Sequence, residues 1–183
     1  MSDKRLIKIS KYLSYHLRHQ PKALGLTLGK GGWVDVTTLL KAAAADGFPI
    51  SPLELETAVA TNDKQRFAFD DSGMRIRANQ GHSTPIDLDL APQMPPDLLY
   101  HGTGAQFVPA ILNTGLKKMA RHHVHLSADP ETAYKVGSRH GKPVILQVNT
   151  AAMVESGFTF YCSANGVWLV EHVPPDYLEA IQP

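Results

Sequence analysis

The chain has 183 residues and a mass of 20.0 kDa, with 43% hydrophobic and 19% charged residues. That composition excludes a disordered, collagenous or coiled-coil protein and allows one ordinary domain or two small ones. The formal net charge of +1 hides an asymmetry: residues 1–30 carry seven Lys and Arg against Asp3 alone, a net +6, which leaves 11 basic against 16 acidic residues beyond them, or −5. A local anion site and a solvated basic helix both satisfy this pattern.

A chain of this size buries roughly 70% of its unfolded surface without help from disulfides. Cys162 is the single cysteine, so neither an internal disulfide nor a cysteine-based zinc cluster is available. It reads as a small hydrophobe. With the charged opening MSDKRLIKIS, which lacks an apolar signal region, this points to a cytoplasmic protein. No apolar run approaches the roughly 18 residues of a membrane span, so no membrane partner is expected.

Leu6, Ile9, Leu13 and Leu17 recur every three or four residues and predict a helix over 4–19. Lys4, Lys8, Lys11, Tyr15 and Arg18 form a second stripe on another face. Pro21 ends the helix and leaves Arg18 and His19 in its last turn, where the helix dipole favours cations. Leu24–Leu28 reads as a short strand before the Gly-rich turn at 29–32. Val36–Asp46 reads as a second helix closed by Gly47. Ser51-Pro52-Leu53-Glu54 is a capping box that starts a third helix reaching about Thr61. Arg66–Phe69 and Met74–Ala78 flank an Asp-Asp-Ser-Gly turn and predict a β-hairpin. Three helices and a hairpin make a winged-helix pattern over 1–82.

Residues 83–97 hold four prolines and little periodicity. They read as a linker, or as an irregular segment wrapped on one domain. Leu98–Tyr100 then enters a strand and meets His101-Gly102-Thr103-Gly104. Ala105–Thr114 reads as a helix with Gly115 beyond its end, and His123–Ser127 as a strand. Asp129-Pro130 caps a helix reaching about Ser138. Pro143–Val148, Phe158–Tyr161 and Gly166–Val170 read as strands, the last two joined at Asn165-Gly166. The texture of 98–183 is α+β, and it carries neither a Rossmann nor a P-loop fingerprint.

Nine histidines are many for this length, but no H-E-x-x-H occurs. Arg121-His122-His123-Val124-His125 could gather a metal only with a carboxylate in reach, and no metal is expected. Arg18, Arg66 and Arg121 are candidates for phosphate recognition, because a guanidinium fork matches a phosphate bidentately. Taken one at a time, each also reads as an ordinary surface residue. No G-x-S-x-G elbow supports a serine nucleophile.

Seven runs stand in an order that resembles the RNA 2′-phosphotransferase family, whose bacterial members are called KptA. They are LRHQP at 17–21, GWV at 32–34, TNDKQRF at 61–67, IRANQGHS at 76–83, LYHGT at 99–103, HVHLS at 123–127 and NGVWL at 165–169. The resemblance covers nearly the whole chain. It implies an α+β protein with an N-terminal winged-helix lobe for RNA over 1–82, the linker over 83–97, and an ADP-ribosyltransferase-like lobe over 98–183. The implied activity consumes NAD⁺ to remove an internal 2′-phosphate from RNA. It releases nicotinamide and ends with 2′-OH RNA and ADP-ribose 1″,2″-cyclic phosphate.

By motif, the family's catalytic set falls on Arg18, His19, Arg66 and Arg121. Its NAD-site motifs fall on His101, Gly102, Thr103, His125 and Ser127. Gly81, His82 and Ser83 fall near the RNA phosphate, and Lys11 joins them from the basic stripe. The implied partner is a tRNA-like RNA, and a monomer is expected. Two alternatives remain open. One is ADP-ribosyl transfer to a terminal nucleic-acid phosphate that stops after the first step. The other is a winged-helix regulator with a sensor lobe. The second helix carries only Lys41 and the third no Lys or Arg up to Thr61, which argues against reading of a DNA groove.

Overall fold

The structure is a computed structural model and describes residues 3–181. The chain mixes helices and sheets and divides into two compact units between Asp89 and Leu90.

The first unit begins with α1 (Asp3–Arg18), whose Ile9, Leu13 and Leu17 are fully buried at the predicted helical spacing. Each such side chain contributes about 2 kcal/mol of hydrophobic stabilisation. They meet Leu39 and Ala43 of α2 (Val36–Ala45) and Leu55 and Ala58 of α3 (Pro52–Ala60) in one core. Ser51 and Glu54 form the capping box on α3, and Asp35 accepts the Thr38 amide to cap α2. β2 (Phe67–Phe69) and β3 (Arg75–Ala78) form the predicted hairpin. β1 (Val34–Asp35) adds an antiparallel third strand on the other side of β3, so the order is β1-β3-β2. Two residues are too few to carry a period, which is why β1 is silent in the sequence.

Leu24–Leu28 is not a strand. Pro21–Leu24 instead forms a 3₁₀ turn closed by Gly25, which takes a φ of +66° and donates its amide to the Lys22 carbonyl. Leu26 is then buried by turning inward, with no β partner. Residues 79–89 stay with this unit through amides of Ser83 and Thr84 on the Arg18 carbonyl and through the Asp87 carbonyl, which accepts the Gly31 amide.

The second unit contains β4 (Leu98–Gly104), α4 (Val108–Thr114), β5 (Leu116–Lys117), β6 (Val124–Leu126) and α5 (Pro130–Gly137). After these come β7 (Pro143–Asn149), α6 (Thr150–Glu155), β8 (Tyr161–Cys162), β9 (Trp168–Val170), β10 (His172–Val173) and β11 (Leu178–Ile181). All pairings are antiparallel, in the orders β11-β7-β4, β6-β9-β8 and β10-β5. Tyr100 and Ser127 exchange backbone hydrogen bonds of 2.9 and 2.7 Å and link β4 to the end of β6. Leu99, Leu126, Leu146, Val148, Met153 and Phe160 fill the core.

Two expectations for this unit are corrected. The strand expected over Phe158–Tyr161 starts only at Tyr161, because Phe158 folds back on Met153 to close α6 and Phe160 gives its carbonyl to Gln93. The helix expected from Ala105 opens as a 3₁₀ turn, and the α-helix begins at Val108. The short elements β5, α6, β10 and β11 lie outside the sequence expectations. α6 is one six-residue piece capped by Asn149, and its apolar residues merge in sequence with the buried strand before it.

Candidate active site

In the first unit, one face of α1 and the chain leaving α3 enclose a cleft of about 630 Å³. Lys11, Tyr15, Arg18, His19, Asn62 and Arg66 line it. Pro21 cannot extend α1, so the helix stops at Arg18 and the backbone turns with Arg18 and His19 at the cleft. Arg66 arrives from the other wall, one residue before β2. The structure therefore brings together Lys11, Arg18, His19 and Arg66, which the sequence holds up to 55 positions apart (11 to 66).

The chain around Arg66 is tightly tied. Asn62 Oδ1 accepts the amides of Lys64 and Arg66 and the Arg66 Nη1, the last at 3.2 Å. Its Nδ2 donates to Ser10 Oγ of α1 at 3.0 Å. Gln65, between these anchors, takes the left-handed φ of +41° that is uncommon for a residue with a side chain. The buried Asn79 holds it there by donating Nδ2 to the Gln65 carbonyl at 2.6 Å.

The 81–83 run lies against the same helix end. Gly81 has φ +86°, and its α-carbon side abuts the Arg18 guanidinium. His82 is buried at 1% exposure, and Ser83 Oγ stands 2.9 Å from His19 Nδ1. Ser83 is thereby a direct partner of His19.

The second unit holds the remaining predicted residues. His101 on β4 places Nδ1 3.0 Å from the His125 carbonyl, so that nitrogen carries the proton. Burial holds its pKa below the usual histidine value, against the raising effect of that hydrogen bond, and nearby Arg121 lowers it further. The ring is thus neutral near pH 7. Gly102 and the buried Thr103 continue β4. A Cβ on Gly102 would stand 1.7 Å from the Ala133 carbonyl oxygen, so glycine there is what lets α5 lie on the strand. Ser127 holds its backbone pairing with Tyr100. Arg121 is exposed and places Nη1 3.2 Å from His125 Nδ1. Because a guanidinium only donates, His125 accepts at Nδ1.

Sequence reasoning placed Tyr15 on the basic stripe of α1 without giving it a role, and assigned none to Asn62 or Asn79. Asn62 had a signal: an Asn just after a helix, two residues before a turn amide, is the pattern of an Asx turn. Asn79 had none, since its role depends on the backbone of Gln65. Cys162 is half-buried, and burial raises its thiol pKa. Among the described residues, no group of three His, Cys, Asp or Glu is gathered as metal ligands would be, and no helix is long and apolar enough to cross a membrane.

Comparison with known proteins identifies the family. Residues 4–172 match the family model described as RNA 2'-phosphotransferase, Tpt1 / KptA family. A protein of Trichormus variabilis named "Probable RNA 2'-phosphotransferase" is 63% identical over 178 residues, covering 97% of this chain and 98% of its own. A protein of the same name from Streptomyces griseus is 54% identical over 185 residues, covering 97% and 98%. One from Pectobacterium atrosepticum is 48% identical over 178 residues, covering 97% and 99%. The match spans both units and all seven sequence runs, and the chain belongs to the RNA 2'-phosphotransferase, Tpt1 / KptA family.

Proposed function

We propose that this chain removes an internal 2′-phosphate from RNA by transferring it to the ADP-ribose part of NAD⁺. The observation that carries the reading is the cleft where Arg18, His19 and Arg66 stand together in a member of this family. The three helices and the β2–β3 hairpin support reading the first unit as a winged-helix lobe for RNA. The mixed second unit is read as an ADP-ribosyltransferase-like lobe, and 83–97 as the connecting segment, of which 83–89 stay hydrogen-bonded within the first unit.

NAD⁺ is a substrate in this scheme. The donor set in the second unit suits it: a neutral His101, the hydroxyls of Thr103 and Ser127, and His125. An RNA 2′-phosphate is a dianion for much of its time near pH 7, since its second pKa is about 6. It needs no general base to attack. One phosphate oxygen bonds to C1″ of the nicotinamide ribose as the C1″–nitrogen bond breaks, and nicotinamide leaves with that electron pair. The 2″-hydroxyl then bonds to phosphorus as the phosphorus–O2′ bond breaks. The 2″ proton is lost, O2′ gains one, and the products are 2′-OH RNA and ADP-ribose 1″,2″-cyclic phosphate.

Arg18, Arg66 and Arg121 are assigned to the charge on the phosphoryl oxygens. His19, partnered by Ser83, is assigned to proton transfer at a ribose hydroxyl. Lys11 and the Gly81-His82-Ser83 run are assigned to the RNA phosphate. The protein acts on tRNA-like RNA in the cytoplasm in this reading.

The test is incubation of the purified protein with NAD⁺ and a short RNA carrying one internal 2′-phosphate, with products identified by mass. Loss of the phosphate together with ADP-ribose 1″,2″-cyclic phosphate is the expected result. An ADP-ribosylated RNA that persists would replace the proposal with terminal-phosphate-type ADP-ribosylation. Arg18→Ala and Arg121→Ala are each expected to lose at least about 100-fold in turnover, the scale for one charge-stabilising donor. Full turnover by either variant removes that arginine from the scheme.

A further inference from the structure

We propose that Tyr15 is a stacking platform for the base next to the 2′-phosphorylated nucleotide. The cleft along α1 is then the track of a single-stranded RNA segment. This rests on the RNA reading above and extends it to how the strand is held.

α1 has two faces. One buries Ile9, Leu13 and Leu17. The other presents Ile7, Lys11, Tyr15 and Arg18 along the cleft, at intervals of four, four and three residues. At 1.5 Å per residue this row runs for about 16 Å. Ile7 is 55% and Tyr15 53% exposed, so neither is spent on the core. The Tyr15 ring meets His16 edge-on at 5.0 Å between centroids, which restrains it without covering it.

The charge of the cleft decides the occupant. Lys11, Arg18, Lys64 and Arg66 line it against Asp63 alone. An apolar peptide gains nothing from four cations, whereas a phosphodiester chain does. Alternation of cations with an exposed aromatic ring is how proteins hold single-stranded nucleic acid: cations track the backbone while bases stack on rings. Tyr15 lies one helical turn before Arg18 and His19. A strand whose 2′-phosphate meets that pair therefore brings a neighbouring base to the tyrosine. Tyr15 is a positioning and specificity residue here, not a catalytic one.

The test measures binding without NAD⁺, so it does not depend on turnover. The probes are a fluorescently labelled RNA oligonucleotide with one internal 2′-phosphate and, as competitor, a nucleoside 2′-phosphate that has no neighbouring base. Tyr15→Ala is expected to weaken oligonucleotide binding about tenfold, the scale of one base–aromatic stack. Tyr15→Phe keeps the affinity, and the nucleoside 2′-phosphate competes equally against all three proteins. With turnover, the loss falls in KM for the oligonucleotide and spares kcat. Equal losses on both probes would mean a structural role and overturn the proposal, as would unchanged oligonucleotide binding by Tyr15→Ala. A protein that turns nothing over but still loses oligonucleotide binding on Tyr15→Ala would leave the platform standing and bring down the reaction assigned above.

Discussion

Asn62 grips Arg66 from two sides, accepting its backbone amide and its Nη1 on the same Oδ1 atom. Its other side-chain atom reaches across to Ser10 on α1. One amide thus ties the arginine of one cleft wall to the helix of the other.

That geometry makes Asn62 a positioning residue. Asn62→Ala is expected to lower kcat for 2′-phosphorylated RNA about tenfold while changing KM little, because Arg66 is still present but no longer aimed. Asn62→Asp keeps the acceptor and is expected to recover part of the rate. Steady-state kinetics with a thermal melt of each variant checks this; a loss that tracks unfolding alone would reduce Asn62 to a stabilising role.

Arg121 is exposed and donates Nη1 to His125 Nδ1. His125→Ala is expected to cost about tenfold in kcat by releasing the arginine. Nitrogen-15 NMR of the histidines at neutral pH is expected to show His125 with its proton on Nε2, the tautomer that an arginine donor at Nδ1 demands. A proton on Nδ1 would refute the contact.

Gly102 was expected among the NAD-site motifs, and the packing shows a separate demand on it. Gly102→Ala places a methyl group into the Ala133 carbonyl and must push α5 off β4. The expected cost is about 3 kcal/mol, the upper range of overpacking. For a unit of this size that lowers the melting temperature by about 12 °C or more. Scanning calorimetry reads it, and a melt within 2 °C or so of wild type would show that α5 yields freely.

Glu54 gives the first unit a pH dependence. The Arg5 guanidinium, with Nε at 2.9 Å, and the Ser51 amide hold its carboxyl well below the ordinary 4.5, at about 2. A depressed carboxylate stabilises the fold above the unfolded value and loses that contribution as pH falls from 4.5 towards 2. Glu54→Gln is therefore expected to melt below wild type at neutral pH, with the gap closing across that window. A gap that stays constant down to pH 2 would show that the charge is not its source.

The sequence by itself determined the local elements and the family. α1 was legible because Ile9, Leu13 and Leu17 repeat at the helical period, and α3 and α5 because Ser51 and Asp129 are caps whose chemistry is local. Arg18, His19 and Arg66 were legible as candidates through their motifs. Only the tertiary structure decided which atoms meet. Ser83 reaches His19 across 64 positions, and Asn79 reaches Gln65 across 14. Such contacts have no period and no neighbour signal, since they exist only once the core has packed and brought distant backbone together. The two-residue strands were decided in the same way. A pair such as Val34 and Asp35 becomes a strand only when β3 offers it a backbone to pair with.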